Sequence, residues 1–257
     1  MTSISAAIIT YNEERNIKRC LDSLVGVVDE IVVVDSGSKD KTKEICESYS
    51  LRFLVNPFEG HIQQKNYALS QTSHAWVLSL DADEALSEEL RQNILQAKSN
   101  GLKDFYEMNR LTNYCGKWIK HCGWYPDKKL RLFNKEKGKW TGLNPHDRFD
   151  AHEKNASVQF IKGDLLHYSY YTSDEHYKQI EYFSSIAAQA YFEKGKKGGL
   201  IMQIISPIAK FLRHYVVKLG VLDGKAGFQI SCISAYATWL KYKKLNKLRL
   251  INKKHAH

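Results

Sequence analysis

Cysteine is scarce in this chain. There are five, Cys20, Cys46, Cys115, Cys122 and Cys232, an odd number with no Cys-x-x-Cys pair among them. A disulfide framework and a cysteine-ligated zinc site are therefore not expected, and a reducing compartment fits. The N-terminus has no basic stretch followed by an apolar core, so no secretory signal is expected. Instead Ile4, Ala6, Ile8 and Ile9 enter a strand pattern almost at once. There is no internal repeat and no low-complexity segment beyond a lysine-rich end. Acids are nearly missing from the last quarter: residues 191–257 hold 14 Lys+Arg against 2 Asp+Glu, while residues 1–190 hold 24 against 26. The whole net charge of +10 thus lies at the C-terminal end and points to an anionic surface, membrane or nucleic acid, as its partner.

What is present is a globular composition, 43% hydrophobic and 26% charged, long enough for one large domain with an appendage. The first hundred residues alternate strand and helix. Strands are expected at 4–9, 30–34, 51–55 and 75–80. Helices are expected from Asn12 or Glu13 through Val25, from Asp40 or Thr42 through Tyr49, over 62–70, and from the cap Ser87 through Lys98. Repeated βα units predict a largely parallel sheet with helices on both faces. From about 101 to 170, strand-like pieces (105–111, 129–133, 157–161) alternate with loops rich in Gly, Trp, Tyr, Pro and His. From about 174 the pattern is helical. Three regions are expected: 1–100, 101–172 and 173–257.

The buried run Ala75 to Leu80 ends in Asp81-Ala82-Asp83-Glu84. On an extended segment Asp81 and Asp83 point the same way and repel each other unless a cation lies between them. A hard divalent ion bridging to a phosphate answers that need. The carboxyl edge of a parallel sheet is also where such folds bind ligands. Two other loops reach the same edge, Tyr11-Asn12-Glu13 and Asp35-Ser36-Gly37-Ser38. Lys65 follows Gln63-Gln64 on a helix facing this edge. It is a candidate to neutralise diphosphate, with a surface lysine as the plainer reading. Glu84 reads as a solvent-facing or helper residue.

These three clusters, Thr10-Tyr11-Asn12-Glu13-Glu14, Val33-Val34-Asp35-Ser36-Gly37-Ser38-Lys39-Asp40-Lys41-Thr42 and Asp81-Ala82-Asp83-Glu84, resemble glycosyltransferase family 2 in order and spacing. Looser likeness continues through Gly123-Trp124-Tyr125-Pro126-Asp127 and Arg131-Leu132-Phe133 to His167. The middle and C-terminal motifs are similar to lipopolysaccharide inner-core β-glucosyltransferases that act on heptose. The resemblance implies an α/β fold of GT-A type: Rossmann-like, with a mostly parallel central sheet flanked by helices and a C-terminal helical, basic amphipathic extension. It implies a UDP-sugar donor, with a hexose (glucose) moved to a heptose hydroxyl of a core acceptor with inversion. A divalent metal, Mg²⁺ or Mn²⁺, would assist. It assigns Asp35 to the uracil N–H, Thr10, Tyr11 and Glu13 to the nucleoside wall, Asp81 to ribose or sugar, and Asp83 with His167 to the metal. Asp147, in Asn144-Pro145-His146-Asp147, stands where relatives carry a Val-His-Glu-like motif and is the candidate general base. Glu153 and Asp127 are alternatives, and a loop acid paired with Arg148 or Arg131 is the structural one. His167 and His146 read equally as core histidines. Trp118, Trp124, Tyr125 and Trp140 are either core aromatics or sugar-stacking surfaces. Arg131 with Lys128-Lys129 either meets a phosphate on the acceptor or meets nothing.

Ile204, Ile205, Ile208, Phe211, Leu212, Tyr215, Val216 and Leu219 recur at helical spacing, with Lys210, Arg213, His214 and Lys218 largely off that stripe. Ala226 to Leu240 is 15 residues without a charge, shorter than the roughly 20 a span needs. Peripheral contact with an anionic leaflet, on the cytoplasmic face of the inner membrane, is expected, with packing against the catalytic domain or a second subunit as the rival. The expected partners are a nucleotide sugar, a lipid-linked oligosaccharide acceptor and this membrane surface, without nucleic acid. Two other readings stand beside the enzyme: an inactive nucleotide-sugar-binding or scaffold protein, and a family 2 transferase for a different lipid-linked or protein acceptor.

Overall fold

The computed structural model describes residues 2–143, 146–196 and 198–255. In chain order the elements are β1 (Ile4–Thr10), α1 (Ile17–Leu24), β2 (Glu30–Asp35), α2 (Thr42–Glu47), β3 (Arg52–Val55), α3 (His61–Gln71), β4 (Trp76–Asp81), β5 (Glu84–Leu86) and α4 (Glu88–Ser99). Then follow β6 (Phe105–Tyr114), β7 (Lys117–Ile119), β8 (Asp127–Asn134), β9 (Gly138–Leu143), β10 (His146–Ala151) and β11 (Val158–Tyr170). Three helices close the chain, α5 (Ser173–Glu193), α6 (Leu200–Leu212) and α7 (Gly224–His255), with a π-turn at Arg213–Val217 and a 3₁₀ turn at Gly220–Asp223 before the last.

The chain divides into two units. The first comprises Met1–Leu111 and Asp127–Tyr168. Its sheet runs β3-β2-β1-β4-β8-β6-β11-β5. β3, β2, β1 and β4 are parallel, and β8 pairs antiparallel with both β4 and β6. Period-two alternation divides β1 between two cores. Ile4, Ala6 and Ile8 meet Ile17, Leu21 and Leu24 of α1 and Leu90 and Ile94 of α4, while Ala7 meets Ala68 and Leu69 of α3 on the other face. α1 starts later than its sequence pattern suggests because residues 13–16 form a turn, with the Asn16 and Ile17 amides bonded to the Glu13 carbonyl. Ser87 caps α4 as expected, its hydroxyl accepting from the Leu90 amide. A separate hairpin, β9–β10, brings Trp140 and Phe149 onto Phe133, whose ring stacks on Phe149 at 3.6 Å.

The second unit comprises Thr112–Pro126 and Ser169–His257. Buried Tyr114 is ringed edge-on by Trp124, Tyr170 and His176. α5, opened by a Thr172–Glu175 capping box, packs on α7 through Ala188, Tyr242 and Leu245. Ala226, Ile230, Ile233 and Leu240 on the charge-free part of α7 are buried, so that stretch serves internal packing.

Gly163 on β11 shows how tightly α4 is held. Its φ is +99°, and a Cβ there would lie 2.4 Å from the Leu90 amide nitrogen. Gly163→Ala should therefore cost at least about 2 kcal/mol in urea unfolding. A change within about 0.5 kcal/mol, typical of a surface site, would contradict this packing.

Candidate active site

Strand register creates the site. Thr10 pairs with Asp35 and Ile9 with Asp81, so β1, β2 and β4 end level with one another. The order also reverses at β1, with β2 on one side and β4 on the other, which is the switch point where α/β sheets bind ligands.

The first two loops are stitched together. The Asp35 carboxylate accepts from the amides of Gly37 (2.9 Å) and Ser38 (2.8 Å) and from the Ser38 hydroxyl (2.5 Å), closing a tight turn. Ser38 Oγ accepts from the Asn12 amide, Asn12 Oδ1 accepts from the Lys39 amide, and Thr42 Oγ1 accepts from the Glu13 amide, each at 2.8 Å. Asn12 takes the left-handed conformation (φ 54°) to make this exchange. Tyr11 is left 56% exposed, while Thr10 is buried and its Oγ1 has no hydrogen-bond partner among the described residues.

The two aspartates are not held as a pair on one extended face. β4 stops at Asp81 and Asp83 lies in the following turn. Asp81 contacts Lys65 Nζ at 3.0 Å and Arg131 Nη2 at 2.9 Å. Asp83 instead faces His167, with Nε2 3.1 Å from Oδ2. The Asp83 carbonyl accepts from the Tyr168 amide at 2.9 Å, which fixes the turn against β11.

Three sequence expectations are corrected here. Lys65 is not a surface lysine: it is 3% exposed, and its Nζ also lies 2.7 Å from Asp147 Oδ2. Glu84 does not face solvent: it is 1% exposed, 2.7 Å from Arg131 and 3.6 Å from Arg110. Arg131 is buried between Asp81 and Glu84 rather than presented to an acceptor phosphate. The indole of Trp140 covers both cations, 4.6 Å from Lys65 Nζ and 5.7 Å from the Arg131 guanidinium carbon. Charges therefore alternate along Asp147, Lys65, Asp81, Arg131, Glu84, Arg110 and Asp127. Burial alone would push the Asp81 carboxyl up, but Lys65 and Arg131 outweigh it and hold it well below the usual carboxylate range. Burial would likewise lower the Arg131 guanidinium, and Glu84 and Asp81 overcome this and keep it firmly charged. Glu13 shifts the other way. Burial first, then the charges of Asp83, Asp40 and Asp81, raise it to about 7 against a hydrogen bond from Asn16.

The other candidates sort out by their neighbours. Asp127 is engaged by Arg110 and by Lys129 (3.0 Å), and Glu153 is exposed in a turn, whereas Asp147 shares a lysine with Asp81. Arg148, an expected partner for Asp147, pairs with Asp150 instead. Asn144, Pro145 and the His146 side chain lie outside the described residues. Trp118, Trp124 and Tyr125 belong to the second unit and Trp140 to the first. Lys65 was legible in one respect: with Gln64, Ala68 and Leu69 it lies on the buried face of α3, an unusual place for a lysine without a partner.

Among the described residues no group of three or more His, Cys, Asp and Glu is arranged to hold an ion. Asp83 and His167 nevertheless present a carboxylate and an imidazole 3.1 Å apart. That donor set fits a divalent cation that fills its remaining positions from substrate oxygens and water.

An α/β sheet with carboxylates, paired cations and an imidazole at its switch point is the architecture of a ligand-binding α/β protein. Comparison with known proteins narrows the class. The profile of Glycosyl transferase family 2 matches residues 5–152. The chain is 31% identical to an uncharacterized glycosyltransferase of Rickettsia typhi, over 97% of this chain and 89% of that protein. It is 32% identical to the lipopolysaccharide core biosynthesis glycosyltransferase LpsC of Rhizobium meliloti, over 82% of this chain and 80% of that one. Among solved structures it is similar to glucosyl-3-phosphoglycerate synthase from Mycobacterium tuberculosis in complex with Mn²⁺, UDP and phosphoglyceric acid. That match has a TM-score of 0.36 and 24% identity, and spans 44% of each chain. The chain belongs to glycosyltransferase family 2.

Two measurements check the electrostatics. Lys65→Met leaves Asp147 and Asp81 without their shared cation and should cost about 3 kcal/mol in urea unfolding. A loss under about 0.5 kcal/mol would mean that the pairing carries no stability. Glu13 titrates near 7 in the fold against an ordinary 4.5, so the folded chain keeps a proton that the unfolded chain loses. Its contribution to stability is then fullest below pH 4.5 and falls as pH rises to 7. Glu13→Gln should gain Tm over wild type across that window in metal-free buffer and plateau above it. A pH-independent difference would contradict the shift.

Proposed function

We propose that the protein is an inverting hexosyltransferase that moves glucose from a UDP-sugar to a heptose hydroxyl of a lipopolysaccharide or lipooligosaccharide core acceptor. We place it at the cytoplasmic face of the inner membrane. The observation that carries this reading is the level ending of β1, β2 and β4, which gathers Thr10, Asp35 and Asp81 at one edge beside the Asp83–His167 pair. Family membership supports the transfer reaction, and the likeness to LpsC supports the acceptor class.

In this reading Asp35 accepts the uracil N–H while its loop bonds hold it rigid, and Tyr11, Thr10 and Glu13 wall the nucleoside. Asp81, fixed by Lys65 and Arg131, accepts from a ribose or sugar hydroxyl. Asp83 and His167 would hold Mg²⁺ or Mn²⁺, which when bound neutralises charge on the diphosphate. Asp147 takes the proton of the acceptor hydroxyl as that oxygen bonds to the anomeric carbon. The bond from that carbon to the UDP oxygen breaks, its electron pair leaves with UDP, and an α-linked donor gives a β-linked product. Lys65 orients Asp147 toward Asp81 and holds the two acids together.

Two variants test the assignment. Asp83→Ala should keep its Tm and lose metal-dependent UDP-hexose turnover by about 100-fold or more. Asp147→Asn should bind donor within about 2-fold of wild type and lose transfer by about 100-fold or more. Near-normal turnover in Asp83→Ala sinks the metal assignment. Donor binding that falls with transfer in Asp147→Asn makes that residue structural. Donor binding without turnover in the wild-type protein, tested with a heptose-terminated acceptor, would favour the scaffold reading.

A further inference from the structure

α6 is apolar on the face that the second unit leaves uncovered. Leu200, Ile204, Ile208, Leu212 and Val216 recur every fourth residue, each between 50% and 75% exposed. The surface continues around the following turn, where Val221 and Leu222 are 49% and 62% exposed. The opposite face is occupied. Phe211 and Tyr215 close on Phe228 of α7 with ring centroids 5.9 and 5.7 Å apart. Near the start of α6, Asn246 of α7 accepts from the Gly199 amide at 2.8 Å and donates to Gln203 at 3.0 Å. α6 is thus pinned to α7 near both ends.

The turn after α6 is built rigidly. The Asp223 carboxylate accepts from the amides of Lys120 and His121 and pairs with His121 Nδ1 at 3.0 Å, and Lys117 Nζ donates to the Asp223 carbonyl at 2.6 Å. Gly227 lies so close that a Cβ would stand 1.9 Å from the Gly220 carbonyl oxygen. The apolar face is therefore preformed, and burying it needs little further ordering.

Leu200–Val217 is an 18-residue apolar stretch with none of it buried, long and apolar enough to be considered as a span. Three features argue against one. At 1.5 Å per residue it reaches about 27 Å, short of a hydrocarbon core of about 30 Å. It carries Lys210, Arg213 and Pro207. One face is held along α7, a helix that carries Lys225, Lys241, Lys243, Lys244, Lys247 and Arg249.

A second copy of the chain is a poor occupant. The second unit has 17 Lys+Arg against 5 Asp+Glu, a net of +12, and self-association through α6 would bring two such charges together. Anionic headgroups match both the charge and the stripe. We propose that α6 and its following turn lie in the plane of an anionic leaflet, half-sunk, with Ile204, Ile208 and Leu212 in the acyl boundary and apolar burial rather than charge holding them there. This deepens the membrane-associated reading above and rests on it only for which leaflet is met.

The test is flotation of the full chain with vesicles of phosphatidylcholine and phosphatidylglycerol, in low salt and in about 1 M NaCl, where exposed charges are screened beyond about 3 Å. Ile208→Cys and, as control, Tyr182→Cys on α5 are labelled with an environment-sensitive dye in a Cys115→Ser background. Wild type should float at both salts, and the dye at position 208 should shift to the blue and be quenched by lipid-borne quencher while that at 182 does neither. The triple variant Ile204→Ser/Ile208→Ser/Leu212→Ser should keep UDP-hexose turnover and lose partitioning by about 100-fold or more. Full release of wild type by salt, or an unshifted dye at 208, overturns the proposal. Flotation without turnover on any UDP-hexose leaves this surface standing and removes the UDP-hexose reading.

Discussion

Two buried cations organise the first unit. Parallel strands that end level bring their terminal carboxylates together, and repulsion among Asp81, Glu84 and Asp147 would open that edge. Lys65 and Arg131 each lie between two of these acids, with Asp81 common to both. Buried ion pairs of this kind contribute little net stability but are costly to break, so they fix geometry more than they add free energy. The consequence is selective. Asp81 is locked as an anion, Asp83 turns away to an imidazole, and Glu13, buried beside other carboxylates, rises to about 7. The edge is left rich in carboxylate oxygens beside a preformed carboxylate–imidazole pair.

Local patterning carried the first hundred residues. The four parallel strands, the Ser87 cap and α3 follow from short-range periodicity and capping chemistry, and the three loop motifs give their common edge. What escaped reading depends on contacts distant in sequence. Lys65 and Asp147 are 82 residues apart, and nothing near either one marks the pairing. Glu84 sits in a run that also reads as a turn, and its burial is supported by the Asp81 amide and by Arg131 and Arg110, which come from strands far along the chain. The β9–β10 hairpin and the full length of β11 were hidden because Gly, Trp, Pro and His interrupt their alternation. The turn at residues 82–83 separates two aspartates that an unbroken strand would have aligned.

The two units divide chemistry and charge between them. The first holds 21 Lys+Arg against 23 Asp+Glu, many of them committed to internal pairs at the sheet edge. The second keeps few acids and places its exposed apolar stripe on α6, while the charge-free part of α7 turns inward to hold that helix. One charge-free segment therefore packs and the amphipathic one faces outward, a distinction that composition alone does not make.

The proposed transfer requires the switch-point edge to bind a nucleotide sugar together with a divalent cation. The most direct measurement is calorimetric titration of the full chain with a panel of UDP-, GDP- and ADP-sugars, with and without Mn²⁺. Selective binding of one UDP-hexose that depends on Mn²⁺ is the predicted result. Equal binding of all three nucleotide classes, or binding of none, would contradict it.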